Sequence, residues 1–327
     1  MAGKSPGHFV SGPIHAWHAA DAKLVYAVIK GVLADMQQTI RPRRSALYMP
    51  GSNARALEKA RTLPADVIII DLEDAVAPEA KPAAREQACA AIKAKGFGSR
   101  EVVLRVNGLD TPWAADDLAA AVAAAPDAVL IPKVAAPEQL QAVGNKISRA
   151  PRALAVWAMI ETAQAILNIS AVAASARDAS TRLTTLVLGT NDIAKETRAR
   201  FVPGRLPWLT SLSQVILAGR AYGLDVLDGV FNDIKDIEGF RRECEDGRDL
   251  GFDGKTLIHP TQLEPCNVIF SPSDEEVAAA QRIVDAFALP ENKGKGVIAL
   301  DGRMVEIMHA DIAARTVALS RAIKAKA

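Results

Sequence analysis

The chain has 327 residues, half of them hydrophobic, with 39 basic against 38 acidic side chains and a formal net charge of +1. That length suits one barrel of ~250 residues with appended segments, and the even charge gives no footprint for nucleic acid or an anionic membrane. No run approaches the ~20 apolar residues of a membrane span. Three scattered cysteines, Cys89, Cys244 and Cys266, argue against a disulfide framework or zinc knuckle and for a reducing cytoplasm.

Residues 1–42 stand apart as an N-terminal extension. They carry His8, His15 and His18, Gly/Pro punctuation and a helix-like stretch near 20–36, with no secretory pattern. From 43 to 270 short apolar runs alternate with helical stretches. The runs are 45–49, 67–72, 102–106, 128–132, 154–160, 184–189, 226–231 and 255–258. Solid apolar centres such as VIII in 67–72 suit strands buried on both faces. Helices are expected from a Ser52 cap to 59, then over 79–94, 114–125, 137–146, 162–176 and 211–223, and before Leu250. An irregular excursion is expected over 193–209. Eight such units predict a (β/α)₈ TIM barrel, whose catalytic groups sit at the C-terminal ends of the strands. After 270 the alternation stops. A helix over 274–287, a hairpin VIAL-DG-RMVE turning at Asp-Gly and a helix over 310–325 make a C-terminal helix–hairpin–helix lid segment, 271–327.

Most runs end in chemistry: Pro50-Gly51, then Asp71, Glu73 and Asp74, then Arg105 and Asn107, Lys133, Glu161, Asn191 and Asp192, Asp228, and His259-Pro260. The five histidines do not cluster and HExxH is absent, so a metal here would be a hard ion on carboxylates. Glu161 and Asp192, at the ends of neighbouring strands five and six, are the candidate Mg²⁺ pair; each is also placed to cap the next helix. Glu73 and Asp74 are candidate proton carriers, or acids decorating a helix N-terminus. Arg105 lies within an apolar strand, where a guanidinium needs an anion. It would meet substrate, or form a structural pair with Glu73 or Asp74. Gly189, Thr190 and Asn191 offer backbone N–H groups to an anionic substrate. Lys133 stands where other barrels carry Schiff-base lysines, but no second lysine or paired acid makes that specific. His259 reads as a polar cap or a contact, and Asp301 as a turn residue.

Taken in order, RSALYMPGSN, DVIIIDLEDAVAPEAKPAAR, VVLRVNGLDT, VLIPKV, MIET, LVLGTND, LDGV, LGFDGKTLIHPTQ and IALDGRMVE resemble the citrate lyase β-subunit-like family, of malyl-CoA/citramalyl-CoA lyase type. The resemblance runs from about 43 to the end. It implies a TIM barrel, Mg²⁺ (or Mn²⁺), a CoA thioester substrate and a homo-oligomer, trimer or hexamer. It implies that Glu161 and Asp192 bind the metal and that Arg105 binds substrate and steadies an enolate. It further implies that Asp301 serves as acid/base, reaching a neighbouring subunit's site. Two stretches depart from the pattern. Asn191 stands where many members have Glu, and Lys195, Arg198 and Arg200 make the next loop basic, which leaves the acyl group open.

The expected activity is a Mg²⁺-dependent carbon–carbon lyase splitting a 3-hydroxy-acyl-CoA such as malyl-CoA into acyl-CoA and a 2-oxo acid. Arg105 would act on the enolate, and Asp301 with Glu73 and Asp74 would move protons. The alternatives are a malyl-CoA thioesterase on the same site and a non-catalytic citrate-lyase-like binding subunit.

Overall fold

A computed structural model describes residues 40–150 and 154–326. The helix expected near 20–36 and His8, His15 and His18 lie outside them. The chain divides into two compact units, one of them Pro42–Ser271, the other including the segment from Pro272 onward.

In the first unit β1 (Ser45–Pro50), β2 (Val67–Asp71), β3 (Glu101–Arg105), β4 (Ala128–Ile131), β5 (Ala155–Ile160), β6 (Leu183–Leu188), β7 (Asp225–Asp228) and β8 (Gly254–Leu257) pair in sequence order. All pairs are parallel, and β8 closes on β1. The expected TIM barrel is present. Strand alternation explains why the runs are apolar throughout. Val67 and Ile69 join Val103, Leu130, Trp157 and Met159 in one inner cluster, while Ile68 and Ile70 pack in the larger outer core. At the mouth the same alternation turns Asp71 and Arg105 inward, directly opposite one another across β2 and β3.

The helices around the barrel are α1 (Ala54–Ala60), α2 (Lys81–Ala94), α3 (Ala114–Ala124), α4 (Pro137–Ile147), α5 (Ala163–Leu167), α6 (Ile169–Ala174), α7 (Thr190–Thr197), α8 (Leu209–Ala221), α9 (Ile237–Leu250) and α10 (Leu263–Ile269). Helix α10 was not expected, and three other stretches differ from expectation. The cap of α1 is Asn53, whose Oδ1 accepts the Ala56 N–H at 3.0 Å, and not Ser52. The helix expected over 162–176 breaks at Asn168, whose side chain donates to the Ala135 carbonyl at 3.0 Å. The excursion after β6 opens with α7, which buries only Thr190 and Ile193 and so shows no apolar period to read. Arg198, at φ 62°, ends it. Beyond it, Arg205 Nη1 holds both oxygens of buried Asp228 at 2.9 and 2.8 Å. Fully buried Lys255 Nζ bonds Asp228 at 2.9 Å and Glu243 at 2.7 Å.

The segment from Pro272 is helix–hairpin–helix. Ser273 and Glu276 form a capping box on α11 (Asp274–Ala288). Strands β9 (Val297–Leu300) and β10 (Arg303–Glu306) pair antiparallel around Asp301-Gly302, at φ 50° and 75°, the left-handed pair of a two-residue hairpin turn. Helix α12 (Ile307–Lys324) packs on α11 through Ala280, Ala313 and Val317.

Candidate active site

Arg105 ends β3 and is 5% exposed. Asp71 grips it side-on: Nε reaches Oδ1 at 2.7 Å and Nη2 reaches Oδ2 at 2.6 Å. The same carboxylate accepts the N–H groups of Glu73 and Ala75 at 2.8 and 3.0 Å, so it fixes both the guanidinium and the turn beyond β2. Nη1 meets Asp74 Oδ2 at 3.0 Å and lies 2.9 Å from Glu73 Oε2. The latter contact is ionic without hydrogen-bond alignment, and that buried oxygen has no hydrogen-bond partner among the described residues. The guanidinium carbon lies 4.9 Å from the Tyr48 ring centre, a cation–π contact. Burial works against the Arg105 charge, but Asp71 overrides it and holds the pKa well above the usual arginine value.

Sequence reasoning placed Arg105 at the mouth and offered Glu73 or Asp74 as structural partners. Both touch it, but the principal partner is Asp71. The strand ends at Asp71, so Glu73 and Asp74 lie in the turn beyond it, where strand alternation does not send them to opposite faces. Tyr48 was not foreseen; its inward register on β1 was the available signal.

Glu161 follows β5 and is 1% exposed. Its Oε1 accepts the Lys133 backbone N–H at 2.8 Å. Its Oε2 faces Gly189, where a Cβ would sit only 2.5 Å away. Burial, then the charges of Glu73 and Asp192, push the Glu161 pKa up to about 8. Burial also lifts Glu73, to about 7, against the opposing pull of Arg105. Asp192 is in the first turn of α7. Lys133 Nζ lies 3.7 Å from Glu73 Oε1.

These carboxylates repel one another in a place poor in water, the electrostatic condition a cation relieves. An all-oxygen donor set fits a hard ion. Among the described residues no group of three or more His, Cys, Asp or Glu comes together around one point. Two carboxylates with water and substrate in the other positions is an arrangement Mg²⁺ tolerates, and Glu161 and Asp192 are the pair expected to provide them.

A cavity of about 290 Å³ opens beside this cluster, lined by Tyr48, Arg105, Met159, Gly189, Thr190 and Asp192, among others. Thr190 Oγ1 is buried with no hydrogen-bond partner among the described residues. Asn191 also lines the cavity and exchanges side-chain hydrogen bonds with Asn232 at 3.1 and 2.7 Å. The volume suits a small acyl head rather than a whole CoA. Asp228 belongs to the Arg205–Lys255 network, and His259 caps its own turn through Thr261 at 2.8 Å. Asp301 lies at the hairpin turn of the other unit, its side chain 72% exposed and 3.9 Å from Arg282.

An eight-stranded parallel barrel with carboxylates and a buried arginine at the C-terminal strand ends defines a TIM-barrel protein of enzyme type. The chain belongs to the HpcH/HpaI aldolase/citrate lyase family, whose model matches residues 44–260. It is 48% identical over 290 residues to a (3S)-malyl-CoA thioesterase of Cereibacter sphaeroides, covering 89% of this chain and 99% of that one. An L-malyl-CoA/β-methylmalyl-CoA lyase of the same species is 34% identical, over 82% of this chain and 91% of the relative. Among solved structures, the Mycobacterium tuberculosis protein CitE in complex with magnesium, acetoacetate and coenzyme A matches with a TM-score of 0.68. It is 29% identical, over 85% of this chain and 97% of that one.

These comparisons correct the expected activity. The carbon–carbon lyase reading gives way to the thioesterase alternative, because the 48% relative is a thioesterase while the lyase stands at 34%. The 2-oxo acid expected as a reaction partner falls with it. The motifs resemble the family as a whole, so they pointed to the family and not to the bond that breaks.

Proposed function

We propose that this chain hydrolyses the thioester of a 3-hydroxy dicarboxylic acyl-CoA of the malyl-CoA type, with a hard divalent ion held by Glu161 and Asp192. The observation that carries this reading is the 48% identity to a (3S)-malyl-CoA thioesterase over nearly the whole of that relative. The CitE complex with magnesium and coenzyme A, at 29% identity, supports the ion and the CoA ester.

Held by the two carboxylates, Mg²⁺ or Mn²⁺ supplies Lewis-acid polarisation and a template for substrate oxygens. The acyl head enters the cavity beside Gly189, Thr190 and Asn191. Arg105, fixed by Asp71 and Tyr48, presents Nη1 to the oxygen on which charge develops. Glu73, with its pKa lifted to about 7, is poised to take a proton from water near neutral pH. Water adds to the thioester carbonyl carbon, the C–S bond breaks, and the sulfur leaves as the CoA thiol carrying a proton. Asp74 and Asp301 complete the proposed proton-handling set, Asp301 on the family resemblance. A cytoplasmic homo-oligomer, trimer or hexamer, belongs to the same proposal.

The test is thiol release from malyl-CoA. EDTA is expected to abolish it, Mg²⁺ or Mn²⁺ to restore it, and Glu161→Gln or Asp192→Asn to raise the metal concentration needed. Full hydrolysis by chelator-treated protein would remove the ion from the reaction.

A further inference from the structure

We propose that Lys133 recognises the free carboxylate of the acyl group and so sets the preference for a dicarboxylic over a monocarboxylic thioester. The inference rests on the thioester reading above and deepens it.

Lys133 lies two residues past the end of β4 with φ 53°, a left-handed backbone uncommon for a residue with a side chain. That conformation lets one residue do two things. Its backbone N–H holds Glu161 Oε1 at 2.8 Å, and its ammonium approaches Glu73 Oε1 at 3.7 Å while the side chain stays 49% exposed.

Charge then decides which cation meets an incoming anion. A carboxylate entering the cavity meets Asp71, Asp74 and Asp192 on its wall, with Glu73 and Glu161 beside Lys133. Arg105 is already committed: Asp71 occupies Nε and Nη2, and Nη1, which lies beside Glu73 and Asp74, is the nitrogen assigned above to the thioester oxygen. Lys133 has three N–H donors, one long ionic contact, and no hydrogen bond from Nζ among the described residues. Its flexible stem lets the ammonium follow a ligand. An acyl group that ends in methyl gains nothing from it.

The experiment uses the full chain loaded with Mg²⁺ and compares wild type with Lys133→Met, Lys133→Gly and Lys133→Arg. The glycine variant keeps the N–H bond to Glu161 and relaxes the left-handed backbone, so it reports even where the methionine variant folds poorly. Calorimetric binding of (S)-malate is expected to weaken ~10–100-fold in the Met and Gly variants, the scale of a charged hydrogen bond, and to recover in part with Arg. The ratio of kcat/KM for malyl-CoA over 3-hydroxybutyryl-CoA is expected to fall by a similar factor. Mn²⁺ affinity in the absence of ligand should hold or rise, because a positive charge leaves the vicinity of the carboxylates.

Equal malate affinity in wild type and variants, no malate binding by wild type, or an unchanged substrate ratio overturns the proposal. So does a loss of Mn²⁺ affinity in both uncharged variants, which would make Lys133 a structural support of Glu161. If wild type hydrolyses no thioester while the variants still lose malate, the hydrolase reading fails and the Lys133 assignment stands. If malyl-CoA is hydrolysed with the ratio unchanged, the reverse holds.

Discussion

Arg105 shows how one side chain can serve stability and chemistry together. Asp71 holds two of its nitrogens in the buried mouth, and the third points among groups that would meet substrate. Arg105→Lys keeps the charge and loses the planar fork. A kcat loss of roughly 10²-fold is expected, the scale of a transition-state donor, together with a lower melting temperature. Arg105→Ala leaves Asp71 buried without its counter-charge and should cost ~3–5 kcal/mol in denaturant unfolding. Wild-type stability in that variant would separate Arg105 from the structural role.

Glu161 makes a pH prediction. Its pKa in the fold, about 8, lies above the ~4.3 of an unfolded chain. Native protein therefore binds the proton more tightly, and metal-free stability falls as pH rises from ~4.3 to about 8. In EDTA, the melting temperature of wild type should drop relative to Glu161→Gln between pH 5 and pH 8. Mg²⁺ should raise wild type more at pH 8 than at pH 5. Parallel curves for the two proteins would contradict the crowding of carboxylates. Glu161, Asp192 and Arg105 were legible in the sequence as polar residues closing apolar runs. The grip of Asp71, the stacking of Tyr48 and the Lys133 N–H bond were not, because partner choice depends on register across strands that one sequence does not display.

At the scale of elements, the β6–α7 junction brings the site together. Gly189 lies against Glu161 and leads directly into the helix turn bearing Asp192. A methyl group at 189 would meet Glu161 Cβ, its nearest neighbour, and Glu161 Oε2 at 2.5 Å, closer than atoms pack, so the whole Glu161 side chain and the backbone carrying it must shift. Gly189→Ala is therefore expected to weaken Mg²⁺ binding by more than tenfold, about 1.4 kcal/mol or more, while far-ultraviolet circular dichroism stays that of wild type. Unchanged metal affinity would show that Glu161 does not need its present position against Gly189. The strands were readable because burial on both faces leaves continuous apolar runs, and each observed strand falls within three residues of its run. The α5–α6 break and α7 escaped because a side-chain bond from Asn168 and a helix with one buried turn leave no periodic signal.

Across the whole molecule, the described residues include a complete barrel within Pro42–Ser271 and a helix–hairpin–helix in the segment from Pro272 onward. Among the described residues no helix is long and apolar enough to cross a membrane. Alternation could give the barrel, but it could not choose between breaking a C–C bond and breaking a C–S bond. The choice came from overall likeness to relatives, 48% to a thioesterase against 34% to a lyase. Product analysis of malyl-CoA turnover with Mg²⁺ tests that choice most directly. The account predicts malate and free CoA in equal amounts, with no acetyl-CoA and no glyoxylate. Acetyl-CoA and glyoxylate as the initial products would contradict it.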